Sequence, residues 1–295
     1  MNFFSIDIGG SAVKYGLCTE TGEITHKGSF PTPDQMKDLI LALKQLKASI
    51  GGEMLAISSP GRVDCEKAVV SGFSAVPWFH DLPIRDIMKQ ELGMEAEIEN
   101  DANCASLAEL YLGSAKDLND CCFVIFGTGI GGTLIHDRKI IRGSTNTAGE
   151  FGLLFSDFDS EDGSFTVWSH YSTIHTVFQA EDACGLKRGS LNGKLLFDNP
   201  DHNPVFTKVR DRFYRAAAAG MLNLQAAFDP EAIVIGGGIS QREELLDEIV
   251  KKMEEMTEPW KQVVTLPTLR RCAFGNDANL IGAVVHAMNA KGMIG

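Results

Sequence analysis

Glycine turns placed directly after apolar, strand-like runs constrain this chain more than any other feature. Three stand out: Gly9-Gly10 after residues 3–8, Gly127-Thr128-Gly129-Ile130-Gly131-Gly132 after residues 121–126, and Gly236-Gly237-Gly238 after residues 232–235. Glycine at the end of a buried strand lets backbone N–H groups approach a ligand such as phosphate. The chain's 30 glycines in 295 residues exceed the usual share of about 7%, and these turns are where the excess has a use.

The second turn contains a G-x-G-x-x-G spacing (Gly127, Gly129, Gly132), which taken alone invites a dinucleotide-binding reading. That fold needs the glycines to open a helix. Here Thr133-Leu134-Ile135 is a second strand-like run, followed by a turn at 136–139 and by Ile140-Ile141, so the pattern predicts a hairpin. The N-terminus repeats it, with a strand to Ile8, a glycine turn, a strand over 12–18, a turn at 19–23 and then Ile24-Thr25. Two copies starting near residues 3 and 121 imply two similar sheets from an internal duplication. The third turn leads instead into residues 241–250, where Leu245, Leu246, Ile249 and Val250 have helical spacing. Ser240 is the expected N-cap, with Glu243 completing a capping box.

The 27 Lys and Arg against 39 Asp and Glu give a net charge of −12, which opposes binding to nucleic acid or to anionic lipid. A polyanion must then be held by backbone N–H groups and a cation more than by a basic patch. The seven cysteines are odd in number and form no C-x-x-C pair, so neither a disulfide framework nor a zinc finger is indicated. With no basic leader before an apolar segment and no run of about 18 apolar residues, the expectation is a cytoplasmic protein with free thiols.

In order along the chain, Asp7-Ile8-Gly9-Gly10-Ser11-Ala12-Val13-Lys14, Ser58-Ser59-Pro60-Gly61-Arg62-Val63-Asp64, Glu99-Asn100-Asp101-Ala102-Asn103, the second glycine turn, Ala148-Gly149-Glu150-Phe151-Gly152, Asp229-Pro230 with the third turn, and Asn276-Asp277-Ala278-Asn279 resemble the ROK family of sugar kinases, a branch of the actin-like ATPases. The resemblance implies an α/β protein of two ribonuclease-H-like lobes with the active site in the interdomain cleft. It implies a small domain of 1–113 plus 281–295, a large domain of 114–280, ATP and Mg²⁺ as cofactors, and a homodimer.

Phosphoryl transfer to a sugar hydroxyl requires a base beside the hydroxyl, a cation on the phosphates and a site closed to water. Asp101 is the expected base. It precedes an Ala- and Leu-rich helical stretch at 102–112, where the helix dipole favours its ionised form, although position alone would equally suit an N-cap. By the resemblance, Gly61, Ser74, Asn100 and Glu150 approach the sugar. Asp7, Gly9, Gly10, Ser11, Lys14, Gly127, Thr128, Gly129, Gly131, Gly236, Gly237 and Gly238 surround the nucleotide, and Asp7 also serves its Mg²⁺.

The chain departs from the family pattern at one place. The resemblance puts a zinc-binding His at position 153, which is Leu here, and no Cys lies between Cys122 and Cys184, so no zinc site is expected. The segment that carries a second sugar-binding Glu in relatives is replaced by Thr166-Val167-Trp168-Ser169-His170-Tyr171-Ser172. Trp168 at or near its place is either plain core packing or an aromatic face for a sugar ring or aglycone. The latter favours a β-glucoside over free glucose, with glucose and N-acetylmannosamine as the alternative acceptors. The acidic run at 156–163 fails the spacing of a calcium loop and is expected to be solvated, and His80 is expected at the surface. A sugar-responsive repressor, the other class in this family, would need a helix-turn-helix ahead of the first glycine turn. The acidic chain, with its turn at residue 9, offers none.

Overall fold

A computed structural model describes residues 1–157, 166–199 and 201–294; most of the acidic run at 156–163 therefore lies outside the described residues. The chain forms two compact units, one of residues 1–117, 142–147 and 276–295, the other of 118–141 and 148–275. In the first, the elements are β1 (Asn2–Ile8), β2 (Ala12–Thr19), β3 (Ile24–Pro31), α1 (Met36–Ile50), β4 (Met54–Ser59), β5 (Arg62–Asp64), β6 (Val69–Ser71), α2 (Ile84–Leu92), β7 (Ala96–Asn100) and α3 (Asp101–Leu112). The second unit has β8 (Cys121–Phe126), β9 (Ile130–His136), β10 (Lys139–Ile141), β11 (Phe155–Asp157), β12 (Thr166–Val167), α4 (Thr173–Ala183), α5 (Gly193–Asp198), α6 (Pro204–Phe228), β13 (Ala232–Gly236), α7 (Leu245–Thr257) and β14 (Leu269–Arg271). The last helix, α8 (Ala278–Ala290), belongs to the first unit.

The two main sheets share one topology. Their strand orders are β3-β2-β1-β4-β7 and β10-β9-β8-β13-β14. In each, an antiparallel meander of three strands is extended by two parallel ones. Each parallel step needs a helical crossover, which is why the meander copies are legible as hairpins while the later strands are separated by helices.

In the first unit β1 is buried on both faces. Phe4, Ile6 and Ile8 pack with α1 and α2 residues such as Leu39, Leu43 and Met88, while Phe3 packs with Cys104 of α3 and Leu280, Ala283 and Val284 of α8. Ser5, on that second face, is satisfied by donating to the Leu280 carbonyl at 2.7 Å. Helices α3 and α8 meet so closely that a Cβ on Gly282 would lie 1.6 Å from the Cys104 carbonyl oxygen. The second unit has its own core, which includes Phe126, Trp168, Phe197, Phe213 and Met221.

The third glycine turn differs from expectation. Residues 238–241 form a 3-10 turn and α7 begins only at Leu245, with no side-chain cap at its start. The Ser240 hydroxyl turns back and donates to the Gly237 carbonyl at 2.8 Å, so the Ser240–Glu243 capping box does not form. Among the described residues no helix is long and apolar enough to cross a membrane.

Candidate active site

In the first unit, register explains the acid at the end of β1. Asp7 lies opposite Lys14 in the antiparallel pair and opposite Ser58 in the parallel one. A buried carboxylate needs donors or a cation, and Asp7 has both. Its Oδ1 accepts from Ser58 Oγ at 2.8 Å and from Asn279 Nδ2 at 3.0 Å. Its Oδ2 faces Lys14 Nζ at 3.6 Å, too long for a hydrogen bond, which leaves a carboxylate oxygen suited to a hard cation or to its water shell. Next to it the glycine turn closes through the Gly9 N–H donating to the Ala12 carbonyl at 3.0 Å. Gly10 sits where a Cβ would come within 2.7 Å of the Ala75 methyl, and Gly10 and Ser11 are exposed.

The N-cap of α3 is Asn100, whose side-chain oxygen accepts from the Asn103 N–H at 3.1 Å. Asp101 is thereby released from capping and stands as the first helical residue. Its Oδ1 accepts from the Ala102 N–H at 2.9 Å and from Asn100 Nδ2 at 3.0 Å. Asn100 Nδ2 also donates to the Gly61 carbonyl at 3.0 Å, so the amide hydrogens of Asn100 are spent within the site and only its oxygen retains capacity. Gly61 takes φ +100° and its missing side chain leaves room for Val70 and Ser74. Ser74 Oγ lies 2.6 Å from His80 Nε2. His80 is thus half-buried and tied to Ser74 instead of lying free at the surface. Gly61, Ser74, Asn100 and Asp101 form one connected group, and Phe73 beside them is 99% exposed.

Directly before this group is a residue the sequence offered only as part of a motif. Glu99 is 0% exposed, and Arg142 grips both its oxygens, at 3.1 and 2.5 Å. Burial works against its ionisation, but Arg142's hydrogen bonds and the surrounding positive charge outweigh it and hold the carboxyl below its usual range. Cys65 and His286 lie close enough that, with Glu99, their ligand atoms are within 4.8 Å of one another. The carboxylate is already engaged by a cation, and burial pushes the Cys65 thiol pKa well above its ordinary value. The group is organised around Arg142, whose guanidinium engages both Glu99 oxygens.

In the second unit, the second and third glycine turns line one cavity of about 750 Å³, with Phe126, Gly127 and Thr128 on one side and Gly238, Ile239 and residues 241–244 on the other. The first turn of α4 and residues of α5 (Gly193, Lys194, Phe197, Asp198) complete it. The volume is within the range of small-molecule and cofactor sites. Gly129, Gly131, Gly236 and Gly237 are not part of its lining; Gly237, at φ +89°, instead lets the backbone pass Phe126, whose carbonyl oxygen a Cβ would approach to 2.0 Å. Ser172 donates to the Thr128 carbonyl at 2.8 Å, fixing the second turn. The charged rim was not visible in the sequence: Arg242 donates to Asp198 at 2.7 Å and to Glu244 at 2.8 Å and lies over the Phe197 ring.

Glu150 is exposed at the start of a 3-10 turn over 151–153, preceded by Gly149 at φ +93°. Trp168 requires a correction. It is 2% exposed, edge-on to Phe126 at 6.0 Å, and packed so tightly on Gly220 that a Cβ there would fall 1.9 Å from its ring. Its faces serve the core, so it offers no platform for a sugar.

The ROK family model matches residues 3–290. The chain belongs to the ROK family. This ROK protein is 31% identical to the beta-glucoside kinase of Listeria monocytogenes serovar 1/2a over 296 residues, 99% of either chain. Its fold is that of a ROK family protein from Streptococcus pneumoniae TIGR4 solved in complex with sucrose, with TM-score 0.92, 31% identity and full coverage of both chains. A ROK family glucokinase from Streptomyces griseus, solved with glucose and AMPPNP, superposes with TM-score 0.77 at 28% identity, covering 96% of this chain and 98% of that one.

Proposed function

We propose that this ROK protein transfers the γ-phosphoryl group of ATP to the 6-hydroxyl of a hexose, with β-glucosides as its preferred class. It is an ATP-dependent sugar kinase. The observation that carries this is the presentation of Asp101: a carboxylate relieved of capping by Asn100, polarised by two donors on one oxygen, and joined through Asn100 to Gly61 and Ser74.

In this reading Asp101 takes the proton of the attacking hydroxyl as the new P–O bond forms and ADP departs. Ser74 and the Asn100 oxygen orient the acceptor in the first unit, and Glu150 is a further candidate carboxylate for sugar hydroxyls. The second unit's cavity takes the nucleotide, its base end against Phe126, Phe197 and Ile239 and its phosphates toward the Gly127–Thr128 turn, away from Asp198, Glu243 and Glu244. Asp7 and Lys14 serve the phosphates beside Gly9, Gly10 and Ser11. Asp7 would hold Mg²⁺, directly or through water, and the ion would supply charge neutralisation on the phosphates. No zinc is required, since Leu153 offers no ligand atom. We also place the enzyme in the cytoplasm, as a homodimer.

The β-glucoside preference is supported by the identity to beta-glucoside kinases and no longer by Trp168. Phe73 takes the aromatic role, since it is fully exposed beside Ser74. A coupled ADP-release assay over cellobiose, an aryl β-glucoside, glucose and N-acetylmannosamine tests the reading. A clear preference for a free hexose would overturn the glucoside assignment.

A further inference from the structure

The chain leaves the second unit after Ile141, runs through the first as residues 142–147, and re-enters the second at Ala148. The one ion pair described for this short passage is that of Arg142 with Glu99. Glu99 stands two residues before the base, and its Oε1 accepts the Asn100 N–H at 2.8 Å and the Asn103 side-chain amide at 3.1 Å. On its other oxygen, His286 Nδ1 lies 3.6 Å away. The backbone that turns from β7 into α3 is therefore fastened from below by one carboxylate, and that carboxylate is held by one guanidinium.

We propose that Arg142 is a positioning residue for the base: by gripping both oxygens of Glu99 it fixes the first turn of α3, and with it the carboxylate of Asp101. This rests on the reading of Asp101 as the base. A planar fork can hold two oxygens in one geometry, whereas a lysine ammonium is a single point. Without the fork, Glu99 is a buried charge with too few donors; it takes up a proton or turns, and the Asn100 N–H and Asn103 amide lose a common acceptor. Misplacing a reacting group by about 1 Å costs about 10²-fold in rate. Loss of Arg142 should therefore appear in kcat and leave KM for ATP nearly alone, because no described contact of Arg142 involves the second unit's cavity; KM for the sugar can move with Asn100, which the same turn carries.

The test compares Arg142→Lys and Arg142→Ala with wild type in the ADP-release assay, with folding followed by circular dichroism. The expected result is a fall in kcat of about tenfold or more for Arg142→Lys and about 10²-fold for Arg142→Ala, with KM for ATP within about threefold. Millimolar guanidinium, but not ammonium at equal ionic strength, should restore part of the Arg142→Ala rate. Wild-type kcat in Arg142→Lys, a loss expressed only in KM, or equal rescue by ammonium would overturn the proposal. Should Arg142→Ala fail to fold, Arg142→Lys decides. Asp101→Asn separates the two readings. If that variant stays active, the base assignment fails whatever Arg142 does; if it is inactive while Arg142→Lys keeps wild-type kcat, only the positioning role fails. Introducing Arg142→Lys into Asp101→Asn should change the residual rate by less than about twofold, and a full multiplicative loss would show that Arg142 does not act through Asp101.

Discussion

Two glycines of the second unit should respond to the same substitution in opposite ways. At Gly127 a Cβ meets nothing within 4 Å, and the backbone is outside the positive-φ region. Alanine fits the empty fold and restricts the unfolded chain, a gain of about 0.4–1 kcal/mol, or a rise of about 1–4 °C in Tm for a unit of this size. Gly127 lines the 750 Å³ cavity, so the methyl enters space assigned to the nucleotide, and KM for ATP should rise about tenfold, equivalent to ~1.4 kcal/mol. At Gly237 the reverse holds. Its φ of +89° and the Phe126 carbonyl oxygen 2.0 Å from a Cβ impose about 1–3 kcal/mol of backbone strain before the clash is relieved, so Gly237→Ala should lower Tm by several degrees. Scanning fluorimetry with ATP titrations in the coupled assay measures both. Unchanged KM for ATP in Gly127→Ala, or wild-type stability in Gly237→Ala, would refute the division into nucleotide and structural glycines.

Other consequences are equally direct. Gly220→Ala overpacks the Trp168 ring and should cost about 1–3 kcal/mol in chemical denaturation, whereas Trp168→Phe should leave the cellobiose-to-glucose ratio of kcat/KM within about twofold. Phe73→Ser should leave stability within about 0.5 kcal/mol but lower kcat/KM for an aryl β-glucoside about 2- to 12-fold, the worth of one aromatic contact of ~0.5–1.5 kcal/mol, with glucose unaffected. Glu99 has its pKa depressed below the ordinary 4.5, so its contribution to stability is present above that value and is lost as pH falls through the folded one. Urea unfolding across the acid limb should therefore show a shallower pH slope for Glu99→Gln than for wild type.

Much of this was readable because it is local. The meander copies at residues 3 and 121 announce themselves through strand, glycine, strand alternation, and the Asp7–Lys14 pair follows from the register of a single hairpin. The Asn100-Asp101 pair was legible as a helix start, although the sequence does not say which of the two caps it. What was missed depends on distant partners. Whether Trp168 is core or sugar platform is undecided in the sequence until Gly220, on α6, is seen beneath its ring. Glu99 gains its meaning from Arg142, 43 residues away, and the cavity rim from Arg242 meeting Asp198 across 44 residues. The Ser240 capping box failed because the Gly237 carbonyl, one turn back, is the nearer partner for the hydroxyl.

The most direct test of the account is sugar-dependent ADP release by wild type and by Asp101→Asn, with the phosphorylated product identified by NMR. Wild type should release ADP only when a hexose or β-glucoside is present and yield the 6-phosphate, and Asp101→Asn should be slower by about 10²- to 10⁴-fold at nearly unchanged KM for ATP. Undiminished turnover in Asp101→Asn, or phosphate at another hydroxyl, would contradict it.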